Sequence, residues 1–217
     1  MGQRHDARYT FDGTPLGPVD QGTNLLVAGP ILGGTRRTAM RLLTADPDDG
    51  IVVITADTSA ESFLDGFAEL GSDVGGGRVR IVDCAQEGSD DLGEFVSTVG
   101  SPADLTGIGI EYSNQYEQVY ARGYDTVRTG IYTLTPLLVY SEDVRPVFRF
   151  VNTVTSRIRT ADGLGLCVID PDAHDERVVN SVAQAFDGRI EVRERNDRSE
   201  IRVRGLPDQP TEWTPMG

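Results

Sequence analysis

Lysine is absent from the 217 residues: all 20 basic side chains are Arg, set against 34 Asp and Glu, and the net charge is −14. Cysteine is nearly absent as well. The two thiols, Cys84 and Cys167, each close an apolar run without a CxxC or Cys/His cluster beside them. That usage fits core thiols in a reducing cytoplasm and points away from a disulfide scaffold or a zinc centre. Only two His occur, His5 and His174, which leaves a Ser/His/Asp or Cys/His relay few places to be. No apolar stretch approaches the ~18 residues of a membrane span, and the opening MGQRHDARYT has no apolar signal region. These absences predict a cytoplasmic protein with no membrane partner.

What is present is acid, with Asp outnumbering Glu by 22 to 12. An acidic surface free of Lys suits molar salt, where charges are screened within ~3 Å. Composition therefore predicts a halophilic, haloarchaeal protein. Against that background acidity reports habitat first, and it argues only mildly against a nucleic-acid partner. The length suits one large α/β domain and is short for two. We read residues 1–217 as a single domain, with an N-terminal arm (1–20) and a Pro-rich C-terminal tail (207–217) anchored by Trp213, the one Trp.

Along the chain, NLLVA (24–28) reads as a buried strand, followed by the glycine loop 29–34 and a helix over 35–43. IVVIT (51–55) is a second strand, and Phe63, Leu64, Phe67 and Leu70 mark an amphipathic helix over 59–70. Gly75 to Gly77 turns the chain into a third strand, 79–84. This βαβαβ order predicts a parallel sheet with helices on its faces. Residues 85–100 read as irregular. Ser101, Pro102 and Asp104 predict a helix start, with Tyr116, Val119 and Tyr120 facing inward. A fourth strand is expected over 129–140, ending at Pro136. Pro146 opens a helix whose stripe is Val147, Phe150, Val151, Val154 and Ile158. A strand over 164–169 leads to a helix capped by 170–175, with Val178, Val182, Ala185 and Phe186 inward and Asp187-Gly188 at its end. The alternating runs 189–195 and 200–204 around 196–199 predict a hairpin.

With the elements in this order, the segments TNLLVAGPILGGTRRTAMRLL, SPADLTGIGIEYSNQYEQVY and VRTGIYTLTPLLVYSEDVRPVFRFVNTVTSRIRTADGLGLCVIDPDAHDE, together with the hairpin FDGRIEVRERNDRSEIRVRGLP, resemble the RecA/RadA superfamily. Within it the resemblance is to haloarchaeal KaiC-like proteins described as possible signal-transduction ATPases. It implies an α/β RecA/KaiC-like P-loop core: a mostly parallel central sheet flanked by helices, a phosphate loop after the first core strand, and a C-terminal antiparallel hairpin.

A phosphate loop of the GxxxxGK[ST] kind uses backbone N–H groups, a Lys on the outer phosphates and a hydroxyl on magnesium. Gly29 and Gly34 hold the glycine positions, with Gly33 between them, but Thr35 stands at the Lys position and Arg36 at the hydroxyl position. Arg36 or Arg37 could meet a phosphate, and Thr35 or Thr38 could offer a hydroxyl if the loop shifted. The resemblance places a magnesium-shell acid at the end of an inner strand, where this chain has Tyr132 in Tyr132-Thr-Leu-Thr135. It also places adjacent glutamates after the second core strand, where Asp57 alone remains, an acid equally suited to capping the next helix. Each missing contact contributes on the order of 10²- to 10⁵-fold in rate. The expectation is a pseudo-ATPase: no enzyme, no catalytic residues and no cofactor, acting through a protein partner or as a homo-oligomer. The alternative is a weak Mg-ATP-binding ATPase working as a homo-oligomer.

Three further groups admit two readings. Asp170, Asp172, His174, Asp175 and Glu176 could bind a divalent cation or cap a helix. Arg145, Arg149 and Arg157 share a helix face and could meet an acidic partner or nucleic acid, or pair with Glu142, Asp143 and Asp162. Arg202 and Arg204 resemble the basic strand end that family members direct at a neighbouring protomer's nucleotide, or simply alternate on a solvent-facing strand.

Overall fold

The structure is a computed structural model that describes residues 8–31, 34–75, 77–85 and 93–217. Its central strands are short apolar runs, most of them followed by a helix that covers the sheet. Arg8–Tyr9 (β1) and Val19–Asp20 (β2) pair as a small antiparallel ribbon. Asn24–Ala28 (β3) leads through the glycine loop into Thr35–Thr44 (α1), and Gly50–Thr55 (β4) into Ala60–Glu69 (α2). Val79–Asp83 (β5) and Val96–Thr98 (β6) follow, then Leu105–Ala121 (α3), Val127–Tyr132 (β7), Leu134–Val139 (α4), Val144–Thr160 (α5), Leu164–Ile169 (β8), Glu176–Ala183 (α6), Gly188–Arg195 (β9), Arg198–Arg204 (β10) and Thr214–Pro215 (β11).

Among the described residues β3 to β11 form one sheet in the order β11-β10-β9-β3-β8-β7-β4-β5-β6. All pairings from β9 to β6 are parallel, and only β9-β10 and β10-β11 are antiparallel. The central strands read as unbroken apolar runs because both faces are covered. Alternation still sorts them: Leu25, Val27, Ile51 and Val53 face the cluster under α1 and α2, while Leu26, Val52 and Ile54 face the one under α3 to α6. This is an α/β fold with a mostly parallel central sheet flanked by helices and a C-terminal antiparallel hairpin, the architecture that the resemblance implied.

Several local expectations are corrected. The helix expected from Ser101 begins at Leu105 with Asp104 as its cap, Asp104 accepting from the Gly107 N–H at 2.9 Å. Ser101 closes a tighter turn just before it, accepting from the Ala103 N–H. On α3, Val119 is buried and Tyr116 packs against the core as expected, together with buried Ile108, Tyr112 and Gln115, but Tyr120 is 39% exposed. The single strand expected over 129–140 is β7 followed by α4: Thr133 accepts from the Thr135 N–H and starts a helix that carries Pro136 in its first turn, where a missing N–H costs nothing. Likewise α5 starts at Val144, capped by Asp143, with Pro146 inside its first turn. In α6 the buried residues are Val179 and Val182, while Gly188 opens β9 rather than closing the helix. Parts of the 1–20 arm, the 75–77 turn and the 85–100 stretch lie outside the described residues. The described part of the arm is packed, with Tyr9, Phe11, Leu16 and Val19 all buried.

Candidate functional site

The parallel strands end at one edge of the sheet, where Gly29, Asp57 and Asp170 come after β3, β4 and β8 and Tyr132 closes β7; in open α/β sheets this edge is where ligands bind. The glycine loop is tightly built there. A Cβ on Gly29 would come within 2.6 Å of the Thr35 hydroxyl and 2.7 Å of the Val192 carbonyl, so only glycine lets α1 approach β9 this closely. A Cβ on Gly34 would fall 1.7 Å from the Ser199 hydroxyl, because the β9-β10 hairpin leans on the start of α1. Gly34 is the N-terminal cap of α1 and offers no side chain to it. Gly33 lies outside the described residues.

The hydroxyls are turned away from the loop's mouth. Thr35 is fully buried, with its hydroxyl directed back at Gly29 and lacking a hydrogen-bond partner among the described residues, and Thr38 is 1% exposed. Ahead of them, the Ile31 N–H donates to the Asp170 carboxylate at 3.4 Å. An acid therefore sits beside the loop where an incoming phosphate would meet repulsion. The role of Asp170 escaped the sequence reading, although its position directly after an inner strand was the available signal.

Arg36, Asp57 and Tyr132 are brought together. The Arg36 guanidinium crosses to α2, donating to the Ser62 carbonyl at 2.9 Å, the Ser62 hydroxyl at 3.1 Å and the Thr58 hydroxyl at 3.3 Å. Its carbon lies 6.0 Å from the centre of the Tyr132 ring. Tyr132 is 2% exposed and packs edge-on against Phe63 at 5.4 Å; its hydroxyl has no partner among the described residues. Burial, then the charge of Asp57, push the Tyr132 hydroxyl above its ordinary range, with Arg36 opposing. Asp57 has exposed area, yet the surrounding chain removes enough water to push its carboxyl up to about 6, opposed by its own backbone N–H and by Arg36. Asp57 does not cap α2: Ser59 accepts from the Ser62 N–H, and buried Asp83 accepts from the Ala60 N–H at 2.7 Å. Arg37 is exposed at the edge of the α1-α2 groove. Ser62, Thr58 and Asp83 were missed because nothing in the sequence aligns α2 with α1.

The sequence profile of a family of unknown function, DUF7504, matches residues 22–192, which run from the strand before the glycine loop into the hairpin. The chain belongs to that family. A solved structure described as a KaiC-like protein from the hyperthermophilic archaeon Pyrococcus horikoshii OT3 is similar in fold, with a TM-score of 0.68 at 14% identity over 97% of this chain and 94% of that one. No curated protein matches in sequence.

In this DUF7504 chain most of the remaining sequence candidates are engaged internally. Asp170 accepts from the Asp172 N–H as the cap of a 3-10 turn, Asp175 stands at the N-terminal cap of α6, and among the described residues no three His, Cys, Asp or Glu gather to hold a metal. Burial lowers the His174 imidazole, opposed by Asp170. Arg202 pairs with Glu191, Arg193 pairs with Glu200, and Trp213 is clamped between the two guanidinia at 4.5 and 4.2 Å, so Trp213 fastens the tail to the hairpin. Of Arg145, Arg149 and Arg157 on α5, only Arg145 approaches an expected partner among the described residues, Asp143 at 4.0 Å. Among the described residues no helix is long and apolar enough to cross a membrane.

Proposed function

We propose that this DUF7504 protein is a KaiC-like P-loop fold that does not hydrolyse ATP and acts as a regulatory or scaffold protein of a signalling kind, through protein contacts. The observation that carries the reading is Arg36. Where a phosphate loop needs a hydroxyl on magnesium, a fixed cation is tied to Ser62 on the neighbouring helix and to Thr58 just before it, above a Tyr in place of the metal-shell acid. A guanidinium cannot ligate a cation, and a phenol held protonated by burial is a poor ligand for one. The carboxylate of Asp170 beside the loop and the inward-facing Thr35 hydroxyl support the same reading.

The test is melting in molar KCl with and without Mg-ATP, combined with a phosphate-release assay and light scattering. The expected outcome is an unchanged melting temperature, no phosphate above the blank and no nucleotide-driven assembly. A large upward shift with phosphate release would replace this reading by the Mg-ATP-dependent homo-oligomer.

A further inference from the structure

On the sheet face opposite the glycine-loop helix, α3 and α5 diverge to leave a groove of about 890 Å³. It continues into a second of about 610 Å³, the two sharing Tyr112, Ser113, Arg149, Thr153 and Arg157. Volumes of this order suit a small organic ligand. Two guanidinia look into the groove, and neither has a carboxylate partner among the described residues. Arg157 donates to the Ser113 hydroxyl, and among the described residues the Arg149 guanidinium makes no hydrogen bond or ion pair. This is unusual in a chain with 34 acids for 20 arginines, where Arg8, Arg128, Arg159, Arg189, Arg193 and Arg202 all find one. Glu117 is the one acid lining the groove. Beside it the Tyr116 ring lines the groove with its hydroxyl buried.

Unpaired cations in a concavity concentrate positive potential there, against the negative field of the rest of the molecule. Arg149 and Arg157 are eight residues apart on one helix, about 12 Å along its axis. We propose that the α3-α5 groove is a binding site for a small organic dianion long enough to span the two helix positions, which lie about 12 Å apart along the axis, one anionic group meeting Arg149 and the other Arg157, with its body lying along Tyr112 and Tyr116. Charge-assisted hydrogen bonds to the two guanidinia fix the ends. The spacing between them sets the specificity.

The probes are two α,ω-dicarboxylates of equal charge, the long sebacate and the short succinate, titrated calorimetrically into the full chain at fixed ionic strength with no nucleotide or magnesium present. Sebacate is expected to bind at least about tenfold tighter than succinate. Arg149→Gln and Arg157→Gln each weaken sebacate by about tenfold, the loss of one charge-assisted contact. Arg177→Gln, an exposed arginine on α6, leaves it unchanged. Amide shifts on sebacate addition gather at Ser113 and Thr153 and spare Thr35 and Thr38. Both groove arginines are exposed, so unchanged melting of the variants verifies folding. Equal affinity for the two probes, no binding of either, or sebacate binding that survives the double variant Arg149→Gln/Arg157→Gln overturns the proposal. None of these outcomes bears on ATP hydrolysis.

Discussion

Arg128 shows what a single residue can decide in this fold. It is fully buried at the start of β7, with Nε 2.6 Å from Asp49 and its two Nη atoms donating to the carbonyls of Leu42 and Thr10 at 2.8 and 2.9 Å. The Tyr9 and Phe11 rings lie 5.3 and 5.4 Å from its carbon, so this one guanidinium holds the 8–20 segment, α1 and the β4 approach together. Removing it strands the Asp49 carboxylate away from water. Arg128→Met is expected to cost about 3–5 kcal/mol in urea unfolding, and Arg128→Met/Asp49→Leu to recover much of that loss. A single-variant cost below about 1 kcal/mol would show that the pair is surface-like.

At Asp57 the titration makes a signed prediction. Its carboxyl is raised from an ordinary 3.8 to about 6, so the folded chain holds that proton more tightly than the unfolded chain does. Its contribution to stability is fully present below the unfolded value and is lost as pH rises through about 6. Asp57→Asn never charges. Its melting temperature is therefore expected to gain on that of the parent chain as pH is raised from about 4 to 7, modestly because the residue retains exposed area. A gap that stays constant or reverses over this range would show that Asp57 is not desolvated.

Among the elements, the hairpin turn is the place where the local code falls short of its optimum. Asn196 and Asp197 have φ of 51° and 58°, positive at both central positions, as a type I′ turn requires. Asn tolerates that region, whereas Asp at the second position stands where glycine is favoured. Asp197→Gly is expected to raise stability by about 0.5–1 kcal/mol, and Asp197→Val to lower it by at least as much, by chemical denaturation. The same hairpin was legible beforehand because its alternation runs through both strands and its turn residues are polar. The stripe of α5 was legible for the matching helical reason. By contrast, TLTPLLVY offered no period to separate a short helix from a strand, and α4 was decided by the Thr133 cap instead. In α3, the burial of Gln115 and the exposure of Tyr120 run against residue type, so Tyr120 was misplaced while Tyr116 and Val119 pack inward as expected. The site divided in the same way. Which residues stand at the loop was visible in the sequence, but the direction of Arg36 depends on Ser62 arriving from α2, a tertiary fact with no local trace.

For the molecule as a whole, charge sets the conditions under which these elements hold together. A net charge of −14 on a chain of this size means that folding concentrates like charges, and compaction is opposed by their mutual repulsion until salt screens it. The acids are spread over the surface, and the pairs that do form there are mostly exposed, such as Arg8 with Asp20, so they offset little of that repulsion. The buried Arg128-Asp49 pair is shielded from the solvent and scarcely feels added ions. We therefore expect the melting temperature of the whole chain to climb steeply as KCl is raised from about 0.1 M, where the screening length is about 10 Å, to 1 M, where it is about 3 Å. The destabilisation caused by Arg128→Met should stay nearly constant over the same series. Replacing exposed acids that form no ion pair among the described residues, such as Asp12 and Glu212, by Asn and Gln should flatten the climb without altering the plateau. A melting temperature indifferent to KCl would mean that the acidic surface does not destabilise the fold, and the inference of a salt-adapted protein would lose its physical basis.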